Sequence, residues 1–121
     1  MIFSLYSDGG SRGNPGKSGA GFVFYDEKNQ EYFAGKKYLG VATNNVAEYS
    51  ALVLGLQKAE EMGIKSLSCF LDSELIVKQL HGIYRVKKPE LKIFFNQVKS
   101  LMASFQEISF SHVRREKNTR A

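Results

Sequence analysis

Residues 43–56, TNNVAEYSALVLGL, mark the point where the chain changes from strand-like to helix-like spacing. From Asn45 onward, small and apolar side chains recur every three to four residues and form one stripe. This spacing is typical of an amphipathic helix. The stripe ends at Met62-Gly63, and glycine often follows a last helical turn. The sequence therefore predicts a long first helix.

The part of the chain that precedes this helix has the composition of strands. Residues 2–7, 19–25 and 31–38 are rich in Phe, Tyr, Val and Ile. Two polar or glycine-rich stretches, DGGSRGNPGKSG and DEKNQ, separate these runs and carry the residues that favour turns. The pattern predicts three consecutive strands in a meander.

Strand and helix patterns alternate after the first helix. Residues 66–71 form a short apolar run, and residues 73–80 have helical spacing with Ser73 as a cap and Gly82 as a stop. Pro89 suits the first turn of a third helix that ends near Phe105. Residues 108–113 alternate as a half-exposed strand does. The order βββαβααβ predicts an α/β fold with a five-stranded mixed sheet flanked by helices, formed by residues 1–121 as one domain.

Composition limits the class of protein. The chain has 121 residues, of which 43% are hydrophobic, enough for one globular core. Lys and Arg outnumber Asp and Glu by 17 to 12, and this charge favours polyanionic partners such as nucleic acid. The single Cys69 lies in an apolar run, so we expect a buried thiol and no disulfide framework. No signal peptide or membrane-spanning run is evident, which predicts a cytoplasmic protein.

Three carboxylates carry the chemical information of the sequence. Asp8 ends the first predicted strand, Glu48 lies one turn into the first helix, and Asp72 follows the fourth strand. If strands one and four pair, the carboxylates of Asp8 and Asp72 emerge at the same edge of the sheet. Carboxylates on rigid elements can hold Mg²⁺, and two such ions can promote phosphodiester hydrolysis.

Each carboxylate also has a purely structural interpretation. Asp8 could form an Asx turn, Glu48 could complete a capping box with Asn45, and Asp72 could start a helix. Taken singly, the structural interpretations are favoured. The joint occurrence of the three carboxylates favours a metal site.

Four sequence blocks resemble those of type 1 ribonuclease H. They are DGGSRGNPG, TNNVAEYSALVLGL, FLDSELIVKQLHGIYRVKKPELK and HVRREKNTRA, and they cover essentially the whole chain in the family's order. The resemblance implies the ribonuclease H-like fold and endonucleolytic hydrolysis of the RNA strand of RNA/DNA hybrids, which yields 5′-phosphate and 3′-hydroxyl ends. It also implies two Mg²⁺ ions in each site, for which Mn²⁺ can substitute.

The resemblance assigns roles to particular residues. Asp8, Glu48 and Asp72 match the metal-binding carboxylates, and His112 matches a mobile histidine that assists product release. The remaining matches concern the hybrid or the surroundings of the site: Asn14, Asn44 and Asn45 as RNA contacts, Thr43 and the weaker candidate Arg12 as contacts to a DNA phosphate, and Asn118 near the site.

Several of these residues have structural alternatives. A ribose 2′-hydroxyl both donates and accepts, and so do the carboxamides of Asn14, Asn44 and Asn45. The same residues could instead be a turn former and helix caps. His112 could be an ordinary strand residue.

The sequence departs from the family pattern in two places. The family's fourth carboxylate would fall at position 122, whereas the sequence ends at Ala121. The favoured explanation is that the sequence is a piece of a longer active enzyme, and the alternative is a natural truncation with or without activity. The 121 residues by themselves lack the C-terminal helix, so we expect them to be weakly active at best. Only HGIYRVKKPE joins helices two and three, so the basic handle loop is also missing. The alternatives are a non-catalytic hybrid-binding domain or another nuclease of the same superfold. In each case we expect a monomer that binds nucleic acid without an obligate protein partner or a membrane.

Overall fold

Eight elements follow one another in the predicted order βββαβααβ in the computed structural model, which describes residues 1–114. They are β1 (Ile2–Arg12), β2 (Gly16–Tyr25), β3 (Glu31–Ala42), α1 (Asn44–Glu61), β4 (Ser66–Leu71), α2 (Glu74–Leu80), α3 (Pro89–Met102) and β5 (Glu107–His112). The five strands form one mixed sheet, so the predicted fold class is confirmed.

The first strand occupies the centre of the sheet. The strand order is β3-β2-β1-β4-β5, in which β1 pairs antiparallel with β2 and parallel with β4. Strand β3 pairs antiparallel with β2, and β5 pairs parallel with β4. The register places Ser7 opposite Leu71 at the carboxyl end of the β1–β4 pair.

Helix α1 packs on one face of the sheet and buries most of the core. Leu5 and Tyr49 are fully buried there, and so is Cys69, as the sequence predicts. Gly55 permits the close approach, because a Cβ atom at this position would lie 2.9 Å from both terminal methyl groups of Leu5. Helix α3 adds to the core through Phe94, whose ring stacks on Tyr49.

The first two strands are longer than the sequence suggested. The glycine-rich segment was expected to be a loop, but β1 continues to Arg12 and β2 begins at Gly16. The two strands pair from Ser4 and Tyr25 to Arg12 and Lys17, and a turn at residues 13–15 connects them. Backbone hydrogen bonds to a neighbouring strand therefore override the weak strand propensity of Gly and Ser.

Most predicted helix boundaries agree with the structure. Met62 caps α1, and Gly63 follows with a φ of 76°. Ser73 caps α2, and Pro89 begins α3. Helix α3 ends at Met102, slightly earlier than predicted. Within residues 1–114, no helix is both long and apolar enough to cross a bilayer.

Candidate active site

Three carboxylates from three different elements meet at one point of the sheet. Asp8, Glu48 and Asp72 each offer an oxygen atom, and these atoms all lie within 4.8 Å of one another. The pairing of β1 with β4 explains two of the positions, because Asp8 and Asp72 directly follow the register partners Ser7 and Leu71. The carboxylates thus emerge at the same edge, as the sequence predicted. Asp8, however, lies inside β1 and not at its end.

Glycine at position 9 allows Glu48 to reach the two aspartates. A Cβ atom on Gly9 would lie 2.0 Å from the carbonyl oxygen of Ala47 and 2.6 Å from the backbone nitrogen of Glu48. The first turns of α1 therefore touch the backbone of β1, and the N–H of Gly9 donates to the Glu48 carboxylate. Gly9 was not among the predicted site residues. A glycine within a strand is a known sign of close backbone approach.

The environment of Glu48 disfavours a negative charge. The residue is 7% exposed. Burial, followed by the charge and hydrogen bond of Asp72 and the charge of Asp8, raises the pKa of Glu48 to about 9, although the Gly9 N–H opposes this shift. The Oε2 atom of Glu48 is buried and accepts no hydrogen bond from the part of the chain that the structure describes. A hard divalent cation prefers such oxygen ligands and would offset the repulsion, so the donor set fits Mg²⁺ or Mn²⁺.

The start of α1 shows that Glu48 has no capping role. Thr43 is the N-cap, and its Oγ1 atom accepts a hydrogen bond of 3.2 Å from the Val46 N–H. The capping box of Asn45 and Glu48 is therefore wrong, because both residues lie inside the helix. At the second helix, Ser73 and not Asp72 supplies the cap. The structural interpretation of Asp8 as an Asx turn is also wrong, since Asp8 is paired with Gly21 in the sheet.

Hydrogen bonds join the β1–β2 hairpin to the start of α1. The Oδ1 atom of Asn44 accepts from the backbone N–H and from the hydroxyl of Ser11, each at 2.9 Å. The backbone N–H of Asn44 donates to Oδ1 of Asn14 at 3.1 Å. Ser11 was not predicted, and only its position between the aspartate and the GNP turn would have indicated it. Asn45 is half-buried and makes no hydrogen bond from its side chain within residues 1–114.

Two other predicted site residues, Arg12 and His112, are exposed at the ends of strands. Arg12 is exposed at the end of β1, where it pairs with Lys17. His112 is exposed at the end of β5, opposite Leu71. Lys78 chiefly lowers the pKa of Glu74, and the charge of His112 contributes to the same shift. The prediction for Asn118 lies outside the described residues.

An open groove of about 770 Å³ begins at Asp8 and crosses the sheet. Asp8 pairs with Gly21, and Gly21 pairs with Lys36 of β3. No side chain at position 21 fills the space between the carboxylate and the lysine. The groove therefore has an acidic end at the carboxylates and a basic end at Lys36.

Comparisons with known proteins agree with the observed fold. The family model "Reverse transcriptase-like" matches residues 6–121. The RNase H1 of Halobacterium salinarum has a crystal structure with a TM-score of 0.97 and 36% identity, which covers 100% of this chain and 92% of that chain. LC11-RNase H1, solved in complex with an RNA/DNA hybrid, has a TM-score of 0.92 and 40% identity, which covers 98% of this chain and 90% of that one.

A longer relative is the bifunctional protein Rv2228c of Mycobacterium tuberculosis. It is 40% identical over 122 residues, which cover 100% of this chain and 34% of the relative. The chain thus spans about a third of the length of this relative.

Proposed function

This chain belongs to the ribonuclease H family, and we propose that it is an endonuclease that hydrolyses the RNA strand of RNA/DNA hybrids. The products would carry 5′-phosphate and 3′-hydroxyl ends. The observation that carries this proposal is the convergence of Asp8, Glu48 and Asp72 within 4.8 Å. The choice of substrate is supported by the similar protein LC11-RNase H1, whose structure was solved in complex with an RNA/DNA hybrid.

The three carboxylates would hold the divalent ions. Their mutual repulsion and the burial of Glu48 make the arrangement unfavourable for the protein alone, which is the expected cost of a prebuilt cation site. Bound Mg²⁺, or Mn²⁺ in its place, would supply an activated water and stabilise the leaving oxygen in a two-ion site. We propose that all three carboxylates are ligands, since each offers an oxygen atom to the same point.

The hybrid would lie across the hairpin and the start of α1. Asn14 and Asn44 are exposed and Asn45 is half-buried, and these three carboxamides would contact the RNA strand in the minor groove of the hybrid. Thr43 lies next to them and would bind a phosphate of the DNA strand, with Arg12 as a weaker candidate. His112 is exposed at the end of β5, opposite Leu71. From there it would assist product release. The monomeric state and the cytoplasmic location stay predictions.

Cleavage of a labelled hybrid by the 121-residue chain tests the proposal. RNA/RNA and DNA/DNA duplexes serve as substrate controls, and each is assayed with Mg²⁺, with Mn²⁺ and with chelator. Asp72→Asn is the matched protein control, because it removes one charge from the carboxylate group and keeps the shape of the side chain. Metal-dependent cleavage of the RNA strand alone, lost in Asp72→Asn, is the expected result.

Two other results would reject the proposal. Hybrid binding without cleavage in any metal would reject cleavage by these 121 residues, and would mean that the domain only binds or that the family's fourth carboxylate is essential. Cleavage of all three duplexes would indicate a nuclease of the same superfold with another substrate.

A further inference from the structure

The groove that begins at Asp8 leads across the sheet to the edge strand β3. Register partners in neighbouring strands project to the same face of a sheet, and Asp8, Gly21 and Lys36 form one such row. Tyr38 lies two residues beyond Lys36 on the same strand and lines the same groove. The path from β1 to β3 crosses two strand spacings, about 10 Å. The groove therefore connects the carboxylates to a lysine and a tyrosine.

The floor of the groove is bare backbone. Its central positions are Gly10, Gly19 and Gly21, which carry no side chains. A Cβ atom on Gly10 would meet nothing within 4 Å, and one on Gly19 would lie 3.7 Å from the nearest atom, the carbonyl oxygen of Lys37. Glycine within a strand allows a ligand to approach the backbone closely. An extended chain can thus lie flat on this part of the sheet.

Basic side chains border the groove. Lys36 lies at its far side, and Lys17 lines an adjoining depression of about 440 Å³ that shares Tyr38 and two of the floor glycines. Neither lysine side chain forms an ion pair or a hydrogen bond within residues 1–114. Asp8 is the only acidic residue that lines either depression in this part of the chain. A polyanion that extends from the carboxylates in this direction therefore meets positive charge.

Tyr38 presents an exposed aromatic ring to the groove. It is 68% exposed, more than any other aromatic residue of the range 1–114. The rings of Tyr32, Phe33 and Tyr84 each contact another ring or a lysine. The Tyr38 ring contacts no other ring and no cation within the described residues. Such a ring can stack on an unpaired base, whereas the faces of bases inside a duplex are already covered.

We propose that the groove binds a single-stranded continuation of the RNA strand, with a phosphate at Lys36 and a base on Tyr38. The proposal rests on the proposed function, under which the RNA strand lies at the carboxylates where the groove begins. The strand that enters the groove from that point is RNA and not DNA. The preferred substrate is therefore a hybrid whose RNA strand extends past the end of its DNA complement.

Hybrids with different ends test the proposal. Affinity is measured by fluorescence anisotropy with chelator present, which separates binding from cleavage. The probes share one duplex: a blunt hybrid, hybrids with a few unpaired nucleotides at the 5′ or the 3′ end of the RNA strand, and hybrids with the same extensions on the DNA strand. We expect an RNA extension of one polarity to raise the affinity about tenfold, the contribution of one stacked base and one phosphate contact. Equal gains from RNA and DNA extensions, or no gain from either, would overturn the proposal.

Tyr38→Leu tests the stacking contact, and Tyr38→Phe keeps the ring. Both variants are expected to fold, because the side chain is exposed. We expect Tyr38→Leu to lose most of the gain from the RNA extension with unchanged affinity for the blunt hybrid, and Tyr38→Phe to retain the gain. An extension of abasic ribose phosphates should bind equally well to the wild type and to Tyr38→Leu. If Tyr38→Leu keeps the whole gain, the stacking role is wrong.

Lys36→Ala tests the phosphate contact. Lys28→Ala is the matched control, because Lys28 is exposed in the turn between β2 and β3 and the change of charge is identical. We expect Lys36→Ala to reduce the gain about threefold. It should also lower the salt dependence of binding to the extended hybrid by about 0.7 in logarithmic slope, the contribution of one single-strand phosphate. Equal losses in the two variants would indicate a general effect of charge and overturn the role of Lys36.

The same probes distinguish failure of this proposal from failure of the proposed function. A wild type that gains affinity from an RNA extension but cleaves no hybrid with Mg²⁺ or Mn²⁺ rejects cleavage and retains the groove as a binding site. A wild type that cleaves the hybrid but gains nothing from an RNA extension rejects the groove alone. A wild type that binds no hybrid rejects both.

Discussion

The backbone of Gly9 touches the backbone of Ala47, so that a Cβ atom on Gly9 would lie 2.0 Å from the Ala47 carbonyl oxygen. This contact fixes the distance between β1 and α1 next to the three carboxylates. It also allows the Gly9 N–H to donate to Glu48. The position of Glu48 relative to Asp8 therefore depends on the absence of a side chain at position 9.

Gly9→Ala should separate the two elements and displace Glu48 from the aspartates. We expect a loss of about 3 kcal/mol in the free energy of unfolding, the cost of forcing atoms into a filled space, and weaker Mg²⁺ binding. Gly10→Ala is the control, because a Cβ atom there meets nothing within 4 Å. Denaturant unfolding and calorimetric Mg²⁺ titration measure the two effects. Similar results for both variants would contradict the role of the Gly9 contact.

The raised pKa of Glu48 predicts a pH-dependent stability of the metal-free protein. The pKa rises from 4.5 to about 9 on folding, chiefly because of burial. The folded state holds the proton more tightly, so the free energy of unfolding should fall as pH rises from 4.5 to 9. The slope should not exceed about 1.4 kcal/mol per pH unit.

Denaturant unfolding in chelator between pH 5 and pH 8 measures this slope, and Glu48→Gln should remove most of it. Mg²⁺ should stabilise the wild type more at pH 8 than at pH 5, because the ion competes with the proton. An unchanged slope in Glu48→Gln would assign the pH dependence to other groups.

A buried hydrogen bond ties the helix of Glu48 to the helix that follows Asp72. The Tyr49 hydroxyl donates to Oε1 of Gln79 at 2.6 Å, and both residues are buried. Tyr49→Phe keeps the ring that stacks on Phe94 but leaves the Gln79 oxygen without this donor. We expect it to lower the free energy of unfolding by about 1–2 kcal/mol. In a double-mutant cycle with Gln79→Met, additive losses would show that the bond contributes no coupling.

Thr43 is expected to have two separable roles. Its hydroxyl caps α1, so Thr43→Ala should lower stability by about 1 kcal/mol, and the proposed phosphate contact should be lost as well. Ser73→Ala removes the corresponding cap of α2, where the Ser73 hydroxyl accepts from the Ile76 N–H at 3.3 Å. Only Thr43→Ala should weaken hybrid binding, and Thr43→Ser should restore it. Equal hybrid affinity of Thr43→Ala and Ser73→Ala would leave Thr43 a cap alone.

The sequence predicted those features of the fold that local pattern determines. The order of elements, the cap at Ser73, the helix start at Pro89 and the shared edge of Asp8 and Asp72 follow from periodicity, capping chemistry and the geometry of parallel strands. The cap of α1 was misplaced, because Thr43, Asn44 and Asn45 are all residues that cap helices well. The direction in which the backbone leaves β3 determines which of these three residues becomes the N-cap of α1, and local sequence does not encode that direction.

Tertiary contacts explain what local pattern could not predict. The segment after Asp8 resembles a loop in composition, yet pairing with β2 makes it a strand. The role of Gly9 depends on a helix whose crossing point is set by packing against Leu5 and Gly55. Ser11 can hydrogen-bond to Asn44 only because that crossing brings the start of α1 over the β1–β2 hairpin.

The parallel pairing of β1 with β4 has a consequence for folding kinetics. Ser7 and Leu71 are neighbours in the sheet, although two strands and α1 separate them along the chain. The cost of closing so long a loop is met before the non-local contact forms, which makes such pairings slow. We therefore expect Asp8 and Asp72 to meet late in folding, so that their repulsion with Glu48 would arise only in the nearly complete fold. Divalent ions would then bind only after the transition state of folding. They would slow unfolding and leave the rate of folding almost unchanged.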